Sequence, residues 1–470
     1  MKSPLAPAWL SLPEDTAALD PTIFSTGVDR QAGEVSVQGL GVTELVEQFG
    51  SPLWVLDEND FRFRARQYVD AFNTAFAPLC GAVDVFYASK ALLTVQVAQW
   101  VKEEGLFIDT ASGGELAVAL RAGSDPAKIG LHGNNKSDAE LQTAISKKIG
   151  RIVVDSLSEL YRVEHLAEQL QVRANVMLRL TPGVDASTHQ HIATAHEDQK
   201  FGLSMTPAPD EDTSVAYQAV HWAAAAQHID LVGLHSHIGS QIFDSQGFET
   251  AATRMLEFIA TIDAEGIHVA ELDIGGGYGI AYTEADDPVG PEVIATNLAH
   301  HIAEETTRLG VACPRISIEP GRSIAGPAGM TIYTVGTTKT VWVEHDGQHH
   351  PRRYVAVDGG MSDNPRPVLY DADYTAVLAN RVSDAEPAFS RVVGKHCESG
   401  DIVVNTVYLP EDTDQGDLVV VPATGAYGHA MSSNYNLLAR PAIVAVKDGA
   451  AREIIRRETY DDLFAREVDL

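Results

Sequence analysis

The sequence predicts an α/β fold, a (β/α)8 TIM-type barrel joined to a second domain that is all β and sandwich- or barrel-like. Three observations carry this. Short apolar, β-branched runs recur between Val83 and Glu319. The stretches between them have helical periodicity, with Ser or Asp where a helix would start. After Pro327 the helical periods fade and strand-like runs follow one another. A length of 470 residues also exceeds what one hydrophobic core usually supports.

Taken in order, residues 1–34 are rich in Pro, Asp and Thr and read as a surface extension. TELVEQF (43–49) reads as a short helix closed by Gly50, and SPLWVLDEN as a strand and turn. Eight strand candidates follow: VDVFYA (83–88), LFIDT (106–110), KIGLH (128–132), RIVVD (151–155), NVMLRL (175–180), LVGLH (231–235), ELDIG (271–275) and RISIE (315–319). SGGELAVALRAG and SLSELYRVEHLAEQL are helical patterns among them. Near-continuous apolar strands alternating with helices mean a parallel sheet covered on its faces. Eight such units in about 250 residues fit a closed barrel better than a doubly wound open sheet. YVAVDGG, SRVVGKHC, DIVVNTVYL, DLVVVPATGAY, RPAIVAVKDG and REIIRRE then predict an antiparallel β domain. The expected division is 1–56 as extension plus a strand and helix given to the β domain, 57–330 as barrel and 331–470 as β domain.

Composition excludes several classes of partner. With 34 basic and 65 acidic residues the net charge is −31, unfavourable for nucleic acid or an anionic membrane. No apolar run of about 18 residues is present to span a bilayer, and the first residues do not read as a signal peptide. Cys80, Cys313 and Cys397 are far apart, with neither a disulfide framework nor zinc spacing. A reducing, cytoplasmic setting is expected, with no metal.

In a barrel the chemistry sits at the C-terminal ends of the strands. Lys90, in YASKAL, follows the first strand. Small and apolar neighbours there favour loss of solvation, which lowers a lysine pKa and suits a Schiff base; a surface lysine opening a helix is the plainer reading. Gly275, Gly276 and Gly277 follow the seventh strand, and Glu319-Pro320-Gly321-Arg322 ends the eighth. Phosphate sites in barrels commonly form after strands seven and eight, and consecutive glycines expose backbone N–H groups to an anion. Glu319 is costly to bury alone; a cationic ring nitrogen or Arg322 would explain it. His235 and His237 stand at period two, which raises metal binding, but no third ligand of matching type lies near in the chain. One ring stacked on an aromatic cofactor fits better. THQHIATAH (188–196) is ambiguous between site and polar loop. In the second domain, Cys397 and Glu398 (CESGD), Arg366 and Tyr370 (NPRPVLY) and Tyr427 (GAYGHA) each have an ordinary structural explanation when taken singly.

Together these residues resemble the fold-type III pyridoxal-phosphate (PLP) enzymes and, within them, the diaminopimelate decarboxylase branch. YASKA, GNNKS (133–137), HSHIGSQ, DIGGGYG, EPGR, NPRPVLY, CESGD and GAYG occur in the expected order across roughly residues 35–440. The resemblance implies decarboxylation of meso-2,6-diaminopimelate to L-lysine and carbon dioxide, the last step of lysine biosynthesis. It implies that Lys90 carries the cofactor, that His237 stacks on its ring, and that Gly275, Gly276, Gly277 and Gly321 hold its phosphate. Glu319 pairs with the ring nitrogen. Arg322, Arg366 and Tyr370 bind the far carboxylate of the substrate, Glu398 its far amino group, and Tyr427 both substrate and cofactor. Cys397 donates the proton, acting across the interface of a homodimer.

The resemblance leaves one local departure. Residues 193–199 read ATAHEDQ, with Ala195 where the family has glycine. The alternatives are an ornithine- or arginine-type decarboxylase, which places Asp after the cysteine, a carboxynorspermidine enzyme, and a non-catalytic regulator of the same fold. An alanine-racemase-like enzyme is disfavoured, because it puts Arg on the ring nitrogen where this chain has Glu319.

Overall fold

The computed structural model describes residues 2–183 and 199–468. The tract 188–196 and the departure around Ala195 lie outside them. The chain forms two compact units: residues 64–279 with 288–321, and residues 1–63 with 280–287 and 322–470.

The first unit holds all eight expected strands: β1 (Asp84–Ala88), β2 (Phe107–Thr110), β3 (Ile129–Leu131), β4 (Arg151–Val154), β5 (Ala174–Thr181), β6 (Ile229–His235), β7 (Glu271–Asp273) and β8 (Arg315–Ile318). Each pairs in parallel with the next, and β8 pairs with β1 through Ser317 opposite Asp84. The sheet therefore closes into a barrel, and the open-sheet alternative falls away. Helices follow the strands as the patterns require. Ser112 caps Gly113–Arg121, Ser137 forms a capping box with Glu140 on Asp138–Lys147, and Ser156 caps Leu157–Leu170. Each such cap is worth about 1 kcal/mol.

The barrel interior is not wholly apolar. Arg151 on β4 is buried, lies 3.5 Å over the Phe86 ring, and donates to Asp273 on β7 and to Ser317 on β8. Asp273 also accepts from the Ser317 hydroxyl at 2.8 Å and from the Gly275 N–H at 2.7 Å. A buried charge needs such partners, and here they tie three strands to one guanidinium.

The second unit departs from a purely antiparallel sheet. Leu53–Asp57 lies between Gly329–His345, antiparallel to it, and Ala442–Lys447, parallel to it. Pro387–Val393 also runs parallel to Gln348–Val357. The mixture arises because a strand encoded before the barrel is inserted among strands encoded after it. Residues 1–34 are more than a surface extension. Leu10 packs on Phe389 and Tyr408, Ile23 and Phe24 enter the two larger cores, and Val28–Gln31 pairs with Glu34–Val37.

Candidate active site

At the C-terminal ends of the barrel strands lies a cavity of about 280 Å³. Lys90, Asp109, His132, Arg179, His237 and Glu319 are among its lining residues. They come from the ends of β1, β2, β3, β5, β6 and β8, so closure of the barrel gathers residues that the sequence scatters. Lys90 sits in a single 3-10 turn directly after β1. It is exposed, which corrects the expectation of a desolvated lysine: its apolar neighbours Ala91 and Leu92 pack inward while its own side chain faces the open cavity.

Glu319 is the hub of a buried polar cluster. Its Oε1 lies 3.0 Å from His235 Nε2, 3.3 Å from His132 Nε2 and 3.7 Å from Arg151 Nη2. Burial pushes this carboxyl up and Asp109 adds to that, but the opposing pull, led by the hydrogen-bonded His235 imidazole, holds it below its ordinary value. Asp109 has the opposite fate. Burial raises it to about 6, against the pull of Arg151, and among the described residues neither of its oxygens has an aligned hydrogen-bond donor. His132 and His237 are pushed well below the usual imidazole value, first by burial, so both are neutral at pH 7.

His235 and His237 are placed differently. His235 is fully buried on Glu319, whereas His237 lines the cavity and takes the Gly276 N–H on Nδ1 at 3.3 Å. The third group that the HxH spacing lacked is His132, from the end of β3. Donor atoms of His132, His235 and Glu319 all fall within 4.8 Å of one another. The guanidinium of Arg151 already supplies a positive charge beside Glu319, and this opposes a metal ion there.

The glycine run is dictated by close backbone approach. A Cβ on Gly276 would stand 2.1 Å from the Glu319 carbonyl oxygen, and one on Gly275 2.4 Å from that of Ser236. Gly275 and Gly277 also have positive φ, 76° and 119°. Gly321 packs as tightly, its would-be Cβ 2.8 Å from the Ala88 carbonyl oxygen.

The second unit carries its own cluster. Arg366 is buried, donates to Tyr374 Oη at 2.5 Å, and lies 4.4 Å over the Tyr282 ring. Arg322 donates to Tyr282 Oη at 2.6 Å and lies 4.6 Å over the Tyr427 ring. Tyr370 is not in this cluster; it is exposed. Cys397 and Glu398 are exposed on a tight turn, with Asp401 accepting the N–H groups of His396 and Met361 at 2.8 and 2.6 Å. Asn436 accepts the Cys397 N–H at 3.1 Å, which fixes the backbone beneath the thiol.

Residues 63–326 match the family model for the pyridoxal-binding domain of pyridoxal-dependent decarboxylases. The chain is 47% identical over 456 residues to the diaminopimelate decarboxylase of Mycobacterium tuberculosis, covering 96% of this chain and 98% of that one. It is 41% identical to that of Bacillus subtilis over 442 residues, 94% and 97% of the two chains. The chain belongs to the diaminopimelate decarboxylases. The crystal structure of diaminopimelate decarboxylase from M. jannaschii in complex with L-lysine superposes with a TM-score of 0.86 at 29% identity, covering 95% of this chain and 98% of that one.

Diaminopimelate decarboxylases are PLP-dependent carboxy-lyases, and the residues here fit that cofactor. One cavity presents a primary amine (Lys90), a neutral imidazole (His237) and an ionised carboxylate (Glu319), beside a rim where no side chain has room. Sequence reasoning missed Asp109, His132, Arg151, Arg179, Tyr282 and Tyr374. Each is a single polar or aromatic residue outside any short motif. Asp109 and His132 were within reach, since each stands at or next to the end of an identified strand.

Proposed function

We propose that this chain decarboxylates meso-2,6-diaminopimelate to L-lysine and carbon dioxide, and that its residues divide the work as follows. The convergence of Lys90, His237 and Glu319 on one cavity carries the reading. Lys90 Nζ holds PLP covalently. When bound, the cofactor supplies an electron sink for the pair left as carbon dioxide departs. Glu319, kept ionised by its imidazole neighbours, holds a proton on the ring nitrogen, and Asp109 stands behind it. His237 offers a flat, uncharged face to the ring. Backbone N–H groups of Gly275, Gly276, Gly277 and Gly321 hold the phosphate, as glycine-rich strand ends do for anions.

Specificity rests on the far end of the substrate, which is zwitterionic. Arg366 and Arg322 meet its carboxylate, planar guanidinium groups being suited to bidentate binding. Tyr427 flanks Arg322, and Glu398 meets the ammonium. Cys397 returns a proton to the carbon that lost carbon dioxide. Cys397 and Glu398 serve the site of a second subunit in a cytoplasmic homodimer, which accounts for a well-anchored turn with exposed side chains.

The test is a product assay. The holoenzyme should release carbon dioxide and L-lysine from meso-diaminopimelate and nothing from ornithine, arginine or lysine. Release from ornithine or arginine would overturn the roles given to Arg366 and Glu398, and no release would favour a non-catalytic regulator. In parallel, Lys90→Ala should lose the borohydride-reducible cofactor adduct; a persisting adduct would move that role to another lysine.

A further inference from the structure

Two of the three cysteines meet at the opposite end of the barrel from the cavity. The chain passes from Cys80 into β1 and from Cys313 into β8. These strands are parallel neighbours, with Asp84 opposite Ser317, and each cysteine stands four positions before its member of that pair. Both therefore lie on the N-terminal rim, at the seam where the first strand meets the last, Cys80 in the turn that ends the preceding helix with its N–H on the Phe76 carbonyl. The two thiols lie against each other, and Cys313 Sγ also donates to the Pro314 carbonyl at 3.5 Å.

The surroundings favour a thiolate on Cys80. The Ile316 N–H points to its sulfur, and Arg315, paired with Asp84 at 2.6 Å, adds positive charge nearby. The Cys313 hydrogen bond, ahead of these, lowers the Cys80 thiol to about 7, where a substantial fraction is nucleophilic at neutral pH. Both residues are half-buried, so small reagents reach them.

We propose that Cys80 and Cys313 form a reversible disulfide that clasps the seam of the barrel. The oxidant is a low-molecular-weight disulfide. Cys80 thiolate attacks one of its sulfurs and expels the first thiolate, leaving a mixed disulfide on Cys80. Cys313 then loses its proton, attacks the Cys80 sulfur and expels the second thiolate. Two thiols are oxidised and one small disulfide is reduced to two thiols. The bond forms on the rim away from Lys90, so it stabilises the barrel without occupying the cavity.

The holoenzyme is incubated with oxidised glutathione, blocked with N-ethylmaleimide and digested without reductant. The expected result is a peptide pair joined through Cys80 and Cys313, and a melting temperature raised by about 5 °C that dithiothreitol reverses. Cys80→Ser should yield no such pair and leave Cys313 open to alkylation. Recovery of both cysteines as maleimide adducts, or as two separate glutathione adducts, would overturn the proposal. Should Cys80→Ser fail to fold, the peptide map of the unaltered chain decides alone.

Discussion

Cys397 shows how a residue is prepared without being buried. Its side chain is exposed, but its backbone is fixed by Asn436, and the adjoining turn is fixed by Asp401. In the role proposed for Cys397, a general acid contributes about 10²–10⁴-fold to a rate. Cys397→Ala should therefore lower kcat by about that factor while the cofactor spectrum persists, which stopped-flow and absorbance measurements separate. Asp363 is the contrasting case. Burial raises it to about 7, although it accepts from Tyr333 Oη at 2.5 Å and from the Gly360 N–H at 2.8 Å. Because its folded value lies above its unfolded one, its contribution is full below about pH 4 and is lost as pH rises through about 7. Asp363→Asn should flatten that part of the pH–stability curve and gain on the unaltered chain toward pH 8, as urea melts at several pH values will show.

At the scale of elements, the strand ends and the polar layer beneath them should respond differently to substitution. A Cβ at position 276 collides with the Glu319 backbone, so Gly276→Ala should displace the end of β8 and weaken cofactor retention, read by dialysis against a PLP-free buffer. Arg151→Met should cost about 3–5 kcal/mol, because Asp273 is left buried with one charged partner fewer; a guanidinium-chloride melt measures this. All eight barrel strands were legible in the sequence, since strands buried on both faces read as continuous apolar runs. Helix starts were legible through Ser112 and Ser156. The mixed character of the other sheet was not, because nothing in Leu53–Asp57 indicates that its neighbours lie far downstream. The motifs marked Lys90, the glycines and Glu319 directly. The tyrosines around Arg366 carry no motif, and only folding brings Tyr282 and Tyr374 together. The Cys80–Cys313 meeting depends on closure of the barrel, which pairs β8 with β1 and which composition does not encode.

For the whole molecule, the proposed homodimer makes each site the joint property of two chains. A Lys90→Ala subunit and a Cys397→Ala subunit are each inactive or slow alone. Mixed and allowed to exchange, they should recover about one quarter of full activity, because half the dimers are hybrids and each hybrid has one intact site. No recovery after proven exchange would mean that each chain serves itself.

The placement of Leu53–Asp57 has a consequence for synthesis on the ribosome. This strand leaves the exit tunnel early, yet its parallel neighbour Ala442–Lys447 is translated only when nearly the whole chain is made. The barrel strands emerge between the two and can pair as they appear, since domains tend to fold as units during translation. An apolar N-terminal strand thus waits, unpaired, through almost all of translation. A nascent chain stalled just after the barrel should therefore hold a protease-resistant barrel beside a susceptible N-terminal segment, and that segment is where a chaperone would bind.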